Sequence, residues 1–176
     1  MQRNAVMLVL APCLLWLGLS VAGGAYAASP VEFIDQARAA GIAEIESSRL
    51  AIQKTSATDI NSFAVEMIKD HTDTNRHLSE LAARLGLNVA PVESLQQQAS
   101  LAMFQASEGE DFDAAYVAQQ IEAHEALIKL FQQQAEDPEV PTLQERVRET
   151  LPKLEMHLEM AKKLQMTHRL PSEGGR

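Results

Sequence analysis

Cysteine is almost missing from this chain. The single one, Cys13, lies in an apolar run near the N-terminus, so nothing from Ala28 onward can form a disulfide or use a thiol. Glycine is scarce in the body, where only Gly41, Gly86 and Gly109 occur, and alternating β-branched runs are missing. A sheet-built domain is therefore not expected. Basic patches are absent too: 15 Lys and Arg stand against 24 Asp and Glu, for a formal net charge of −9. Such a surface repels nucleic-acid phosphates and anionic head groups, which makes both poor partners. There is no Gly-x-Ser-x-Gly, so hydrolases of the nucleophile-elbow type find no support. Neither an internal repeat nor a low-complexity segment interrupts the chain.

What is present begins with a leader. Arg3 precedes an apolar run from Ala5 to Val21, followed by Gly23-Gly24-Ala25-Tyr26-Ala27. That order predicts a secretory signal over residues 1–27, cleaved after Ala27, and a mature protein in the periplasm. A retained membrane anchor is the alternative reading, because the run is nearly long enough to span a bilayer. Pro12 before Cys13 argues against a lipoprotein, since a small residue is needed there. Cleavage leaves 149 of 176 residues and takes the net charge to −10, Arg3 being the only charged residue lost. The expected layout is one helical domain over 28–170 and a disordered tail over 171–176.

The domain reads with helical period throughout. Ser29-Pro30-Val31-Glu32 supplies a capping Ser, a Pro at the first helical position and a Glu at the third, starting a helix that runs to about Lys54. Ser56-Ala57-Thr58-Asp59 offers a second capping box, and the next helix continues to Leu85, where Gly86 stops it. The short connection makes these two antiparallel. After a loop from Leu87 to Pro91 comes a short helix from Val92 to Ala106. A third long helix spans about Asp111 to Ala135, and Asp137-Pro138-Glu139 caps a fourth that reaches about Met166. Pro152 lies inside this last helix and should kink it unless the helix restarts nearby. The fold class is all-α, a four-helix bundle with one additional short helix.

Each long helix carries one ionisable group on its apolar stripe. Glu44 falls among Ile34, Ala37, Gly41, Ser48 and Ala51. His71 falls among Ile60, Ala64, Met67, Ile68, Leu78, Ala82 and Leu85, with Asp70 at the margin. His124 accompanies Val117, Ile121, Leu127, Ile128 and Phe131, and His157 accompanies Val147, Leu154, Ala161 and Leu164. Counted from the turns at about 1.5 Å per residue, all four come near the middle of their rods. Three imidazoles and a carboxylate converging from facing helices make a metal site, suited to zinc, iron, copper or nickel. Asp70, Glu122, Glu125 and Glu155 are near enough in sequence to accept ring N–H bonds, and Tyr116, two turns before His124, can bond into the same layer. The competing reading is a polar layer whose members satisfy one another and only fix helix register. His77 and His168 read as surface or tail residues, and Met67, Met156 and Met160 as core filler.

The run from Phe33-Ile34 to Leu50-Ala51, then Phe63-Ala64-Val65-Glu66-Met67-Ile68-Lys69-Asp70-His71-Thr72 with Asn75 and Leu78, resembles a known family. So do Asp111-Phe112-Asp113 with Tyr116, His124, Leu151-Pro152 and His157-Leu158. The family is the exported bacterial ferritin-like domain of unknown function 4142, whose members are often labelled predicted outer membrane proteins. The resemblance implies a ferritin-like bundle in the periplasm or attached to the envelope, without an established activity. An embedded barrel is not what that label can mean here, since a barrel needs many alternating strands. The wider ferritin-like group often holds two irons through a Glu on each of two helices and Glu-x-x-His on the other two. No Glu stands three residues before His71, His124 or His157, which argues against a di-iron oxidase or an iron store.

The leading expectation is a metal-binding bundle with Glu44, His71, His124 and His157 as ligands, serving metal handling or envelope stress. No catalytic residues and no organic cofactor are expected, and an enzyme is the less favoured reading. The alternative is a non-catalytic structural or interaction module, docking a partner on an acidic face or on the short helix. Partners are expected, if anywhere, in a homo-oligomer or an envelope protein, without membrane insertion after cleavage.

Overall fold

The computed structural model describes residues 28–103, 111–137 and 139–168. The expected signal at 1–27 and tail at 171–176 lie outside the described residues, as does the end of the short helix at 104–106. Five helices occur in the order α1 (Pro30–Lys54), α2 (Thr58–Leu85), α3 (Val92–Met103), α4 (Asp111–Ala135) and α5 (Pro141–Thr167), and no strand occurs among the described residues. The all-α expectation holds. None of the described helices is long and apolar enough to cross a membrane.

The first helix starts as its sequence dictates. Glu32 N–H donates to Ser29 Oγ at 3.3 Å, and Ser29 N–H donates to Glu32 Oε2 at 3.0 Å, which closes a reciprocal capping box ahead of Pro30. The second start differs from expectation. Ala57 takes the capping position and its methyl group offers the helix no acceptor; in the turn before it the Thr55 hydroxyl accepts the Ala57 N–H at 3.0 Å, and Asp59 accepts from Ile60. At the far end Gly86 adopts φ 66°, the left-handed conformation that favours glycine, and Leu87 N–H reaches back to Ala82 C=O at 2.9 Å. The fourth long helix also begins later than expected. Asp137 spends its carboxylate on Glu139 N–H and the Gln134 amide, closing a turn, and α5 opens with Pro141 in its first turn and Val140 before it. It then runs without interruption through Pro152 to Thr167.

Helix α1 packs along α2 and α4 along α5, while α1 also meets α4 and α2 meets α5, which closes the four-helix layer. The first pair packs closely at Gly41, where any Cβ would collide with the Asn75 side chain; that amide donates to Arg38 C=O at 3.1 Å. Helix α3 lies outside the layer, with Leu95 against Ile42. Its approach is fixed by Asp35, which accepts Ala90 N–H at 2.8 Å, and by buried Arg38, which donates to Ala90 C=O at 2.9 Å.

The apolar interior forms two separate clusters. One contains Phe33, Ile34, Ala37, Leu78, Leu81, Leu127, Phe131, Leu143, Val147 and Leu154, with Phe33 and Phe131 edge to face at 5.0 Å. The other contains Ala51, Ile60, Phe63, Ala64, Met67, Phe112, Tyr116, Val117 and Ala161. Between them each long helix carries buried polar residues: Glu44, Ser47 and Ser48 on α1, Asp70 and His71 on α2, Gln120 and His124 on α4, His157 on α5. Four positions of the expected stripes depart from them: Leu85 is exposed at the last turn of α2, and Ile68, Ile121 and Leu164 are half-buried, while Phe63 and Leu81, not counted in the α2 stripe, are buried.

Candidate metal centre

The polar waist brings His71, His124 and His157 together from three helices. Their ring centroids stand 5.4, 5.5 and 5.7 Å apart, and one ligand nitrogen from each lies within 4.8 Å of the others. All three residues are at most 2% exposed. Burial favours the neutral ring, and it lowers His71 to about 3 and His124 to about 4; His157 is lowered as well, with Asp70 opposing.

The partners of two rings decide where their protons sit. His124 Nδ1 is 2.8 Å from Gln120 C=O, which can only accept, so Nδ1 carries the hydrogen and Nε2 is bare. His157 Nε2 is 3.2 Å from Asp70 Oδ2, an ionised carboxylate, so Nε2 carries the hydrogen and Nδ1 is bare. Both bare nitrogens, and His71 Nε2, are buried with no hydrogen-bond partner. The rings therefore do not satisfy one another.

Asp70 earns its charge from its neighbours. Burial works to raise its pKa, but hydrogen bonds from Lys153, Lys69 and His157 outweigh this and hold it below the usual carboxylate range. Both ammonium groups stand 3.2 Å from Oδ1. Asp70 also belongs to a second group that can hold a metal ion, with Glu66 and the same His157, again within 4.8 Å.

Glu44 is buried in the same waist but stands outside both groups. Burial raises its pKa to about 8, against a hydrogen bond with Gln120, and its Oε2 has no partner. Tyr116 bonds to Ser48 at 2.9 Å one turn from Glu44, and burial raises its pKa. Glu122, Glu125 and Glu155 are exposed and reach none of the rings. Residues one or two places from a helical histidine point to other faces, so ring partners come from four residues back, as with Gln120, or from another helix, as with Asp70. Gln120 and Glu66 were not singled out in the sequence, although each lies four residues before a named position, His124 and Asp70 respectively, and shares its face.

No curated protein and no solved structure matches the chain. A family model does, over residues 20–164, which takes in α1 to α4 and most of α5. The chain belongs to the family described as Domain of unknown function (DUF4142).

Proposed function

We propose that this protein holds one transition-metal ion in its core on His71, His124 and His157, with Glu44 buried nearby as a carboxyl group that the charge of a bound ion would favour ionising. The observation that carries this reading is the set of three buried ring nitrogens without a partner, two of them bare. Leaving a buried polar atom unpaired costs about 1–3 kcal/mol. Three such atoms at one level would consume a large part of the about 5–15 kcal/mol that keeps a domain folded. A layer kept only for helix register would pair its members internally, whereas lone pairs that converge without a donor fit a cation. Neutral imidazoles without thiolate suit zinc, copper, iron or nickel. When bound, such an ion supplies Lewis acidity, with fewer protein ligands than a closed structural site. The protein's own residues set up the ligands: Gln120 and Asp70 fix two ring tautomers, and the apolar clusters on either side exclude water.

The reading extends to an exported protein of the periplasm, free or held at the outer membrane, that serves metal handling or envelope stress, alone or with another copy or an envelope partner. The leader pattern supports export. The test is elemental analysis of the protein purified from the periplasm without chelator or histidine tag, beside a variant with His71, His124 and His157 changed to Ala. About one metal per chain, absent from the folded variant, is expected. A native protein that carries none and refuses zinc, copper and iron on titration overturns the proposal.

A further inference from the structure

The three-histidine group is shut off from water, yet an ion must reach it. Among the described residues, His157 is the ring that also belongs to a second metal-sized group, with Asp70 and the half-buried Glu66. Glu66 and Asp70 stand one turn apart on α2, and Lys153 stands one turn before His157 on α5. We propose that Glu66 and Asp70 form an access port, which captures a divalent transition-metal ion at the surface and passes it inward on the ring of His157. The inference rests on the core site proposed above and adds how that site is loaded.

The placement of atoms supports transit rather than storage. His157 turns its protonated Nε2 to Asp70 and keeps a bare Nδ1 without a partner. Rotation of the ring about Cβ–Cγ breaks the bond to Asp70, presents Nδ1 to an ion held between the two carboxylates, and returns it to the other histidines. No proton has to change hands, because Nε2 keeps its hydrogen throughout. The carboxylate is also already a gathering point for positive charge: Lys69 and Lys153 both converge on Asp70 Oδ1, from side chains that are 73% and 43% exposed. Long exposed stems swing aside at little cost, so an incoming divalent ion displaces them. Once displaced they compete to return, and the ion does not settle.

Stopped-flow loading of the full-length mature protein with cobalt(II), followed by release into a chelator, separates rate from affinity. The unaltered chain is compared with Glu66→Gln, Lys153→Met and, as a control for net charge, Glu145→Gln at the exposed start of α5. A port acts on both directions alike. Glu66→Gln should slow uptake and release together by about tenfold, because the carboxylate that steadies the ion in passage is lost in both directions, and leave Kd within about twofold. Lys153→Met should speed both, and Glu145→Gln should change neither by more than about twofold. Stoichiometric binding by Glu66→Gln at the control's rate overturns the port and leaves the core site standing. So does a tenfold loss of affinity with unchanged uptake, which would make Glu66 a resident ligand. Failure of the unaltered chain to bind cobalt, zinc or copper overturns both.

Discussion

The ion-free protein should be most stable near pH 6.5 and lose stability on both sides, and the reason is the opposite behaviour of two kinds of buried group. His71 and His124 are held to about 3 and about 4 in the fold, mainly by burial, against 6.5 when exposed. Below pH 6.5 the unfolded chain takes up protons that the fold refuses, so stability falls as the pH drops toward those values. Glu44 has the reverse sign. Its folded value of about 8 against 4.5 exposed means the fold carries one extra proton between these limits, and stability falls as the pH rises through them. Below 6.5 two histidines outweigh one carboxyl by about one proton, or about 1.4 kcal/mol per pH unit, and His157 adds to that side. Above 6.5 Glu44 outweighs the fading histidine contribution, and the net loss from pH 6.5 to 8 comes to about 1 kcal/mol. Urea unfolding across this range, with chelator present, measures the curve. Glu44→Gln should flatten the limb above pH 6.5 and steepen the one below it. A native curve that stays level or rises from pH 6.5 to 8, or a Glu44→Gln curve that still falls there, would refute the assignment of that limb to Glu44.

Three further outcomes follow from single contacts. Asp70→Asn keeps the shape but weakens the hold on the His157 tautomer, so metal affinity should drop by about 10- to 100-fold while the far-ultraviolet spectrum is unchanged; isothermal titration that finds equal affinity would remove Asp70 from the site. Phe131→Ala empties the centre of the larger apolar cluster and should cost about 3–5 kcal/mol in chemical unfolding. A loss under about 1 kcal/mol would mean that the cluster collapses around the gap. Gly86→Ala meets no atom but must hold a left-handed conformation, so it should cost about 1–2 kcal/mol, and a neutral result would show that the end of α2 relaxes.

The features legible in the sequence are those that depend on near neighbours along the chain. Ser29 with Glu32, the stop at Gly86 and the bounds Asp111 to Ala135 all follow from local chemistry, and the 3.6-residue period carries Glu44, His71, His124 and His157 to the interior. Local rules failed at the starts of α2 and α5. Helix α2 starts one residue later than a Ser56 cap would set it, with Thr55 bonding in the turn, and Asp137 closed its own turn before it could start a helix. The partners of the rings were harder still. Asp70 meets His157 across 87 residues of chain, a meeting set by how α2 and α5 slide past one another, which no spacing within either helix encodes. Glu44, on α1, is buried in the same waist yet falls in neither ligand group, which its height along the bundle does not reveal.

Because the polar waist divides the interior, the bundle does not own one continuous oil drop. It has two smaller ones at opposite ends, and every long helix contributes to both. Neither half can be pulled away without dragging the same four rods, yet the joint between them gains little from hydrophobic burial. Whatever stiffens that joint sets whether the two ends melt as one body or in sequence. An ion clasped by α2, α4 and α5 at the joint would thus act as a rivet through the middle of the rods, trading a seam of weak cohesion for the point at which the whole molecule is held in common.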